Sequence, residues 1–266
     1  MLKLLFWNLK KNSIEDYIVD FIVENDVDIA IFSEFGGIDF VKLEKMLGKI
    51  YSRIGIQEDG KVTLIAKKTF SVDVLQEQNR YKIYNVKTAV QNYLLVAIHL
   101  EDNRNYKQDE RIHTIENLVA TIEQTEELWE CNNTIVIGDF NANFYDKELL
   151  SKFAFNAVLF KSIIDNNELT NPRTLKKKRF YNPILHYISE NTDMYGSFYY
   201  DGDFMTPYWY CLDQVLVRRS LVNSVNRVEY LKKTETKDLL KNSIPNKDIS
   251  DHLPLLVNLL EVEDGI

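Results

Sequence analysis

The stretch Thr134-Ile-Val-Ile-Gly-Asp-Phe-Asn-Ala142 decides how this chain is read. Its opening run of apolar and β-branched residues predicts a short buried strand, and Gly138 lets the backbone turn out of it. Asp139 and Asn141 lie two apart, so in extended backbone their side chains share one face. Both residue types are depleted in strands, and a half-buried carboxylate must find a partner or a cation. Gly-Asp-Phe-Asn also suits an ordinary turn, so the stretch alone leaves both readings open.

Other strand ends along the chain repeat the pattern. Lys3 to Trp7 reads as a buried strand that runs into Asn8. A helix is expected over 14–24, with Ile14, Tyr17, Ile18, Phe21 and Ile22 on one face. The next apolar run, from Asp28, predicts a parallel-type strand ending in Glu34, ahead of Gly36 and Gly37. After a second helix over 40–47 the period changes to two, which predicts strands at 51–54, 62–66, 71–75 and 81–86. Glu58-Asp-Gly is the expected hairpin turn between the first two of these. A strand over 92–100 carries His99 near its end, and the longest helical pattern, 106–129, leads into the Asp139 strand.

A short helix is expected over 146–153 and an irregular segment over 171–188. The aromatic stretch 195–210 predicts antiparallel strands, with one or two rings available to stack on a base. The strand pattern continues from 208 to 217, which sets Asp213 inside an apolar run. Further strands are expected over 225–231 and 255–260, the last preceded by Ile249-Ser-Asp-His-Leu-Pro with Asp251 and His252. Each polar residue has an ordinary explanation when taken singly: Asn8 as a cap, His99 as a bonded core residue, Asp251 and His252 as a turn. Together, Asn8, Glu34, His99, Asp139, Asn141, Asp213, Asp251 and His252 share one position type, the end of a buried strand, where loops cluster and sites are built. Oxygen donors without thiolates favour Mg²⁺, Mn²⁺ or Ca²⁺ over zinc.

Composition narrows the function classes. With 45% hydrophobic residues the chain can bury a sizeable core, and its net charge of −8 should repel nucleic acid as a whole. That weighs against a coating protein but allows a nuclease with a local basic groove, and it suits a site that collects divalent cations. The one strong positive run is Arg173, Lys176, Lys177, Lys178 and Arg179, with no acid among them. It is a candidate rim for polymer phosphates, or simply a solvated loop. The opening residues lack a signal-peptide pattern and no segment reaches membrane-spanning length. Cys131 and Cys211 have neither disulfide-framework nor zinc spacing. The expectation is a soluble, cytoplasmic chain with one domain over 1–266, since no Gly/Ser-rich linker divides it.

In this order, Trp-Asn, Ser-Glu, Ile-His-Leu, Gly-Asp-Phe-Asn, Leu-Asp-Gln and Ser-Asp-His, the chain resembles the endonuclease/exonuclease/phosphatase superfamily from Asn8 to His252. Gly-Asp-Phe-Asn and Ser-Asp-His are the specific pieces. The resemblance implies an α+β fold, a four-layer α/β/β/α sandwich of two mixed sheets flanked by helices, and phosphate-ester hydrolysis with Mg²⁺, Mn²⁺ serving as substitute. By matching motif, Glu34 would bind the cation, with Asn8 and Asp251 near or in its shell. Asp139 would position and deprotonate water, Asn141 would donate to the phosphorane oxygen, and Asp213 would orient His252 and favour its charged form. His99 matches the branch with a second histidine, typical of deoxyribonuclease-type and sphingomyelinase-like members, more than the abasic-site repair branch. Three functions are open: a nuclease acting on DNA or RNA, a hydrolase of a small phosphoester such as a nucleotide, inositol phosphate or lipid head group, and a non-catalytic scaffold. The complete polar set argues against the last.

Overall fold

The structure is a computed structural model and describes residues 1–55, 60–165, 178–190 and 196–261. In chain order the first elements are β1 (Leu2–Asn8), α1 (Glu15–Asn25), β2 (Ile29–Ser33), α2 (Phe40–Met46), β3 (Tyr51–Ile54) and β4 (Val62–Lys67). They are followed by β5 (Ser71–Glu77), β6 (Tyr81–Lys87), β7 (Asn92–His99), α3 (Gln108–Leu128) and β8 (Thr134–Asp139). Next come α4 (Lys147–Leu150), β9 (Ala157–Val158), α5 (Lys161–Asp165), β10 (Phe180–Tyr181) and α6 (Ile184–Glu190). The last third holds β11 (Phe198–Tyr199), β12 (Trp209–Tyr210), β13 (Asp213–Val217), β14 (Val225–Tyr230), β15 (Leu240–Lys241), β16 (Ile244–Pro245) and β17 (Leu255–Leu259).

Two large mixed sheets carry the fold. One has the order β14-β17-β1-β2-β4-β3, the other β5-β6-β7-β8-β13-β10-β9. β1 runs parallel to β2, and β7 parallel to β8, while the remaining neighbours of β1 and β8 are antiparallel. Alternation of side chains then sorts the residues into layers. On β7 and β8, Leu95, Ala97, Ile135 and Ile137 join the core between the sheets, whereas Leu94, Val96, Ile98 and Val136 face away. The second set meets Ile115, Leu118, Val119 and Ile122, spaced along one side of α3. Burying each of these helix residues contributes about 1.5–3 kcal/mol, which holds α3 despite its many exposed acids. On the other sheet Trp7 meets Phe21 of α1 edge-on at 5.6 Å, and Phe32 meets Phe40 of α2 at 6.4 Å. Helices therefore cover the outer face of each sheet.

Most expected elements are present within a residue or two. The helix expected over 146–153 shortens to α4. The segment expected to be irregular over 171–188 instead contains β10 and α6. There Asn182 is buried and its side-chain oxygen accepts the N–H of Ile184, starting a helix whose Tyr187 hydroxyl donates to the Val225 carbonyl. The single strand expected over 208–217 is two, broken at Cys211 and Leu212. Cys211 N–H donates to Asn143 Oδ1, and the N–H groups of Leu212 and Asp213 both donate to Ser197 Oγ, so the backbone leaves one ladder for another. In the aromatic stretch β11 and β12 pair as a two-residue antiparallel ribbon. The expected Glu58-Asp-Gly turn lies largely outside the described residues, as do Arg173, Lys176 and Lys177.

Gly138, one residue before Asp139, has φ 155°, and a Cβ there would come within 2.0 Å of the Ile98 carbonyl oxygen. Only glycine lets β8 lie this close to β7 at the site. Gly138→Ala is expected to destabilise the fold by at least about 3 kcal/mol, read from the denaturant midpoint, because backbone must shift to admit a methyl group.

Candidate active site

The alternation that builds the inter-sheet core also delivers the polar cluster. His99 continues the Leu95–Ala97 face of β7, and Asp139 the Ile135–Ile137 face of β8. The register pairs His99 with Asp139 and Asp139 with Asp213, so three functional side chains stand on adjacent strands at one end of the sheet. From the facing sheet Asn8 ends β1, paired with Ser33, and Glu34 follows directly. Trp7 Nε1–H donates to the His252 carbonyl at 2.9 Å, fixing the loop before β17 against β1. Ser250 Oγ donates to the Asn8 carbonyl at 2.7 Å and accepts the His252 N–H at 3.1 Å.

The result is one connected cluster. Asp139 Oδ1 accepts the Asn141 N–H at 2.9 Å, and Oδ2 accepts from Asn8 Nδ2 at 3.1 Å. His99 Nε2 lies 3.7 Å from Asp139 Oδ2 and 3.9 Å from Glu34 Oε1. His252 Nδ1 and Asp213 Oδ2 are 2.7 Å apart, both buried, and the Phe198 ring centre lies 5.0 Å from the imidazole. Tyr230 donates its hydroxyl to the Asp213 carbonyl at 2.6 Å. Asn141 has φ 48° and gives one side-chain N–H to the Leu100 carbonyl at 2.9 Å. Its own carbonyl accepts from buried Arg111 at 2.6 Å, and Arg111 in turn pairs with buried Glu148 at 2.9 Å.

The sites expected from the sequence thus split in two. Asn8, Glu34, His99, Asp139, Asn141, Asp213 and His252 converge. Asp251 adjoins them, but its carboxylate faces Lys10 Nζ at 3.8 Å. The basic run does not converge where it is described. Lys178 Nζ donates to Glu126 at 3.0 Å and Arg179 to the Ile163 carbonyl at 3.0 Å. Glu126 also accepts from Thr134, the first residue of β8, whereas Asp139 is the last. Lys178 therefore sits at the opposite end of the strand from the cluster, and its role as a rim beside the site is corrected. The supports Trp7, Ser197, Ser250, Tyr230 and Arg111 were not singled out as site residues. Of these only Trp7 and Ser250 adjoin polar motifs in sequence; the others become visible through long-range packing.

Burial and charge set the protonation states. Burial pushes the His99 imidazole below its ordinary value, against the opposing pull of Asp139 and Glu34. Burial raises the wholly enclosed Asp213 carboxyl to about 6, with the His252 charge opposing. For His252, burial disfavours the charge, but the adjacent Asp213 outweighs it and lifts the imidazole to about 10. Between those limits the pair is carboxylate and imidazolium.

The donor set fits a hard divalent cation. Among the described residues no lysine or arginine pairs with Glu34 or Asp139, although their carboxylates converge on His99. Asp213 Oδ1 is buried without a hydrogen-bond partner. Asp139, Asp213 and His252 each offer a ligand atom, all within 4.8 Å of one another. The residues can hold a metal; oxygen donors dominate.

Comparison with known proteins follows the same line. No family model matches the chain, and no curated protein does. Solved structures do. TDP2 of D. rerio, crystallised with a single-strand DNA product, aligns with a TM-score of 0.60 at 15% identity over 96% of this chain and 97% of that one. An AP endonuclease from Archaeoglobus fulgidus gives 0.57 at 19%, covering 97% and 99%. An endonuclease/exonuclease/phosphatase family protein from Bacteroides thetaiotaomicron gives 0.57 at 14%, covering 98% of each. At such identities the likeness is one of fold: the chain shares the DNase I-like fold of these structures. Among the described residues no helix is long and apolar enough to cross a membrane.

A histidine titration by NMR, in chelator, checks the Asp213–His252 pair. Because Asp213 raises the imidazole, protonation of His252 contributes stability that is fully present below about pH 6.5 and is lost as the pH rises through about 10. In Asp213→Asn burial is opposed only by the weaker pull of Asp139 and Asp251, so the His252 imidazole should titrate well below 10 and the alkaline loss of stability should shrink.

Proposed function

We propose that this chain is a divalent-metal-dependent phosphoesterase that hydrolyses phosphodiester bonds of nucleic acid. The observation that carries the reading is the convergence of a doubly bonded carboxylate, Asp139, with the buried Asp213–His252 pair and the Glu34 carboxylate. Asp139 is aimed by Asn8 and by the Asn141 N–H, which leaves it free to orient an attacking water and take its proton. His252, kept charged by Asp213, donates to a phosphate oxygen or protonates the leaving group. The second side-chain N–H of Asn141 is available to the developing phosphorane. His99, neutral by burial, orders the Glu34 and Asp139 carboxylates. Glu34, with Asn8 and Asp139 beside it, would hold Mg²⁺ or Mn²⁺, which supplies Lewis-acid charge to the phosphate oxygens when bound.

The solved structure of a fold neighbour with single-strand DNA supports a nucleic-acid substrate. A second reading, hydrolysis of a small phosphoester, is favoured by the binding of Lys178 and Arg179 away from the cluster. Side-by-side turnover of labelled single- and double-stranded DNA, RNA and a small phosphoester decides between them. The nuclease reading expects cleavage of a polymer, loss of turnover in chelator with the fold kept, and recovery with Mg²⁺ or Mn²⁺. Asp139→Asn and His252→Ala should each lower kcat on the order of 10²–10⁴-fold. Near-normal turnover in either variant would overturn the assigned roles. Neutralising Arg173, Lys176 and Lys177 tests the remaining part of the basic run: a weaker salt dependence of KM on polymer would place them on substrate phosphates.

A further inference from the structure

We infer that Ser197 is a positioning residue for the Asp213–His252 pair, holding its two members at hydrogen-bond distance across the gap between the sheets. The inference deepens the phosphoesterase reading and rests on it.

The pair has no common scaffold. Asp213 opens β13 in the seven-stranded sheet, whereas His252 lies in the loop before β17, which belongs to the six-stranded one. Their contact at 2.7 Å therefore depends on how the two sheets are set at this point. A slip of about 1 Å would take the imidazole out of line with its carboxylate. Ser197 bonds both sides. Its Oγ accepts the N–H groups of Leu212 and Asp213, each at 3.0 Å, which fixes the backbone that carries the carboxylate. Its carbonyl accepts the Leu253 N–H at 2.8 Å, one residue past His252. The next residue, Phe198, forms an antiparallel bridge with His252 itself and lays its ring 5.0 Å from the imidazole. Tyr230 of β14 also crosses the gap, giving its hydroxyl to the Asp213 carbonyl at 2.6 Å, but it pairs with β17 at Leu255, three residues past His252. Ser197 is the tie that reaches the histidine loop.

The chemistry of a hydroxyl explains why serine serves here. Ser197 is wholly buried at the break between β12 and β13, where two backbone N–H groups turn to a side chain. A hydroxyl offers two lone pairs and one proton. The lone pairs take Leu212 and Asp213, and the proton faces the Tyr210 carbonyl at 3.4 Å. Every position is used, so the oxygen has one resting place and Asp213 inherits it. Removing the hydroxyl leaves two buried N–H groups without an acceptor. They would relax toward another, and the carboxylate would move with them while Leu253 stayed bonded to the Ser197 backbone.

Kinetics and NMR together test this. On labelled DNA or RNA, whichever the wild type cuts, Ser197→Ala should lower kcat about 10–100-fold while KM changes less than about threefold. Should the alanine variant misfold, Ser197→Cys nearly keeps the size with a weaker acceptor and carries the same expectation. In a His252→Ala background the serine change should cost less than about twofold, because a residue that acts through His252 has nothing left to position. The proton on His252 Nδ1, assigned by its absence from His252→Ala, should resonate downfield in the wild type. In the Ser197 variant it should move upfield or exchange away. Wild-type kcat in the variant, an equal loss in both backgrounds, or an unmoved resonance would overturn the inference. Failure of the enzyme reading is seen separately, as a resonance that responds as stated in a protein that cuts no phosphodiester.

Discussion

Two carboxylates face each other across a pair of strands. Asp139 and Asp213 are directly opposed in the β8–β13 ladder, both buried, in a position where like charges repel. No apolar core tolerates that without compensation, and much of what surrounds the pair is compensation. Asn8 and the Asn141 N–H bond to one carboxylate, and His252 to the other. His252 is itself held by Trp7 through its carbonyl and by Ser250 through its N–H. The β1 end, the loop before β17 and the turn after β8 are thus tied to a single electrostatic problem. A fold could avoid the problem with two valines. Retaining it leaves a carboxylate, an imidazolium and unspent acceptors at the mouth of the sandwich.

The other end of β8 makes the contrast. There Thr134, Arg218 and Lys178 all donate to Glu126, and the Arg218 guanidinium lies 3.7 Å over the Phe180 ring. A buried acid meets two cations and a hydroxyl, and its charge is answered by the protein alone. At the Asp139 end the answer from the protein is incomplete, with Glu34 facing a neutral imidazole. One strand carries a closed polar network at its start and an open one at its finish. The difference between a structural and a chemical cluster is visible as charge left over.

The fold was legible in the chain because strand alternation is local, and the cluster because its members stand at or near the ends of apolar runs. Gly-Asp-Phe-Asn and Ser-Asp-His could be read as strand ends from their neighbours alone. What escaped depends on distant partners. Lys178 looks like part of a free basic loop until Glu126, fifty-two positions away, takes its ammonium. The break between β12 and β13 depends on Ser197 and Asn143, whose side chains bind backbone far along the chain. Helix α6 opens beneath a buried asparagine in a segment without a strong period.

The turns that frame the cluster are held under tension. Lys10, Lys11, Glu34 and Asn141 all have positive φ, between 47° and 60°, although none is glycine, and Lys11 N–H closes onto the Glu34 carbonyl at 2.6 Å. Each such residue costs on the order of 1 kcal/mol, which the surrounding contacts must sustain. The sheets bear no such load along their buried rungs. Heat should therefore release these turns before it melts the sandwich, so the protein would lose its chemical competence in a local, reversible loosening well below the temperature of global unfolding. Operating range would then be a property of four turn residues, and the durability of the scaffold a separate one.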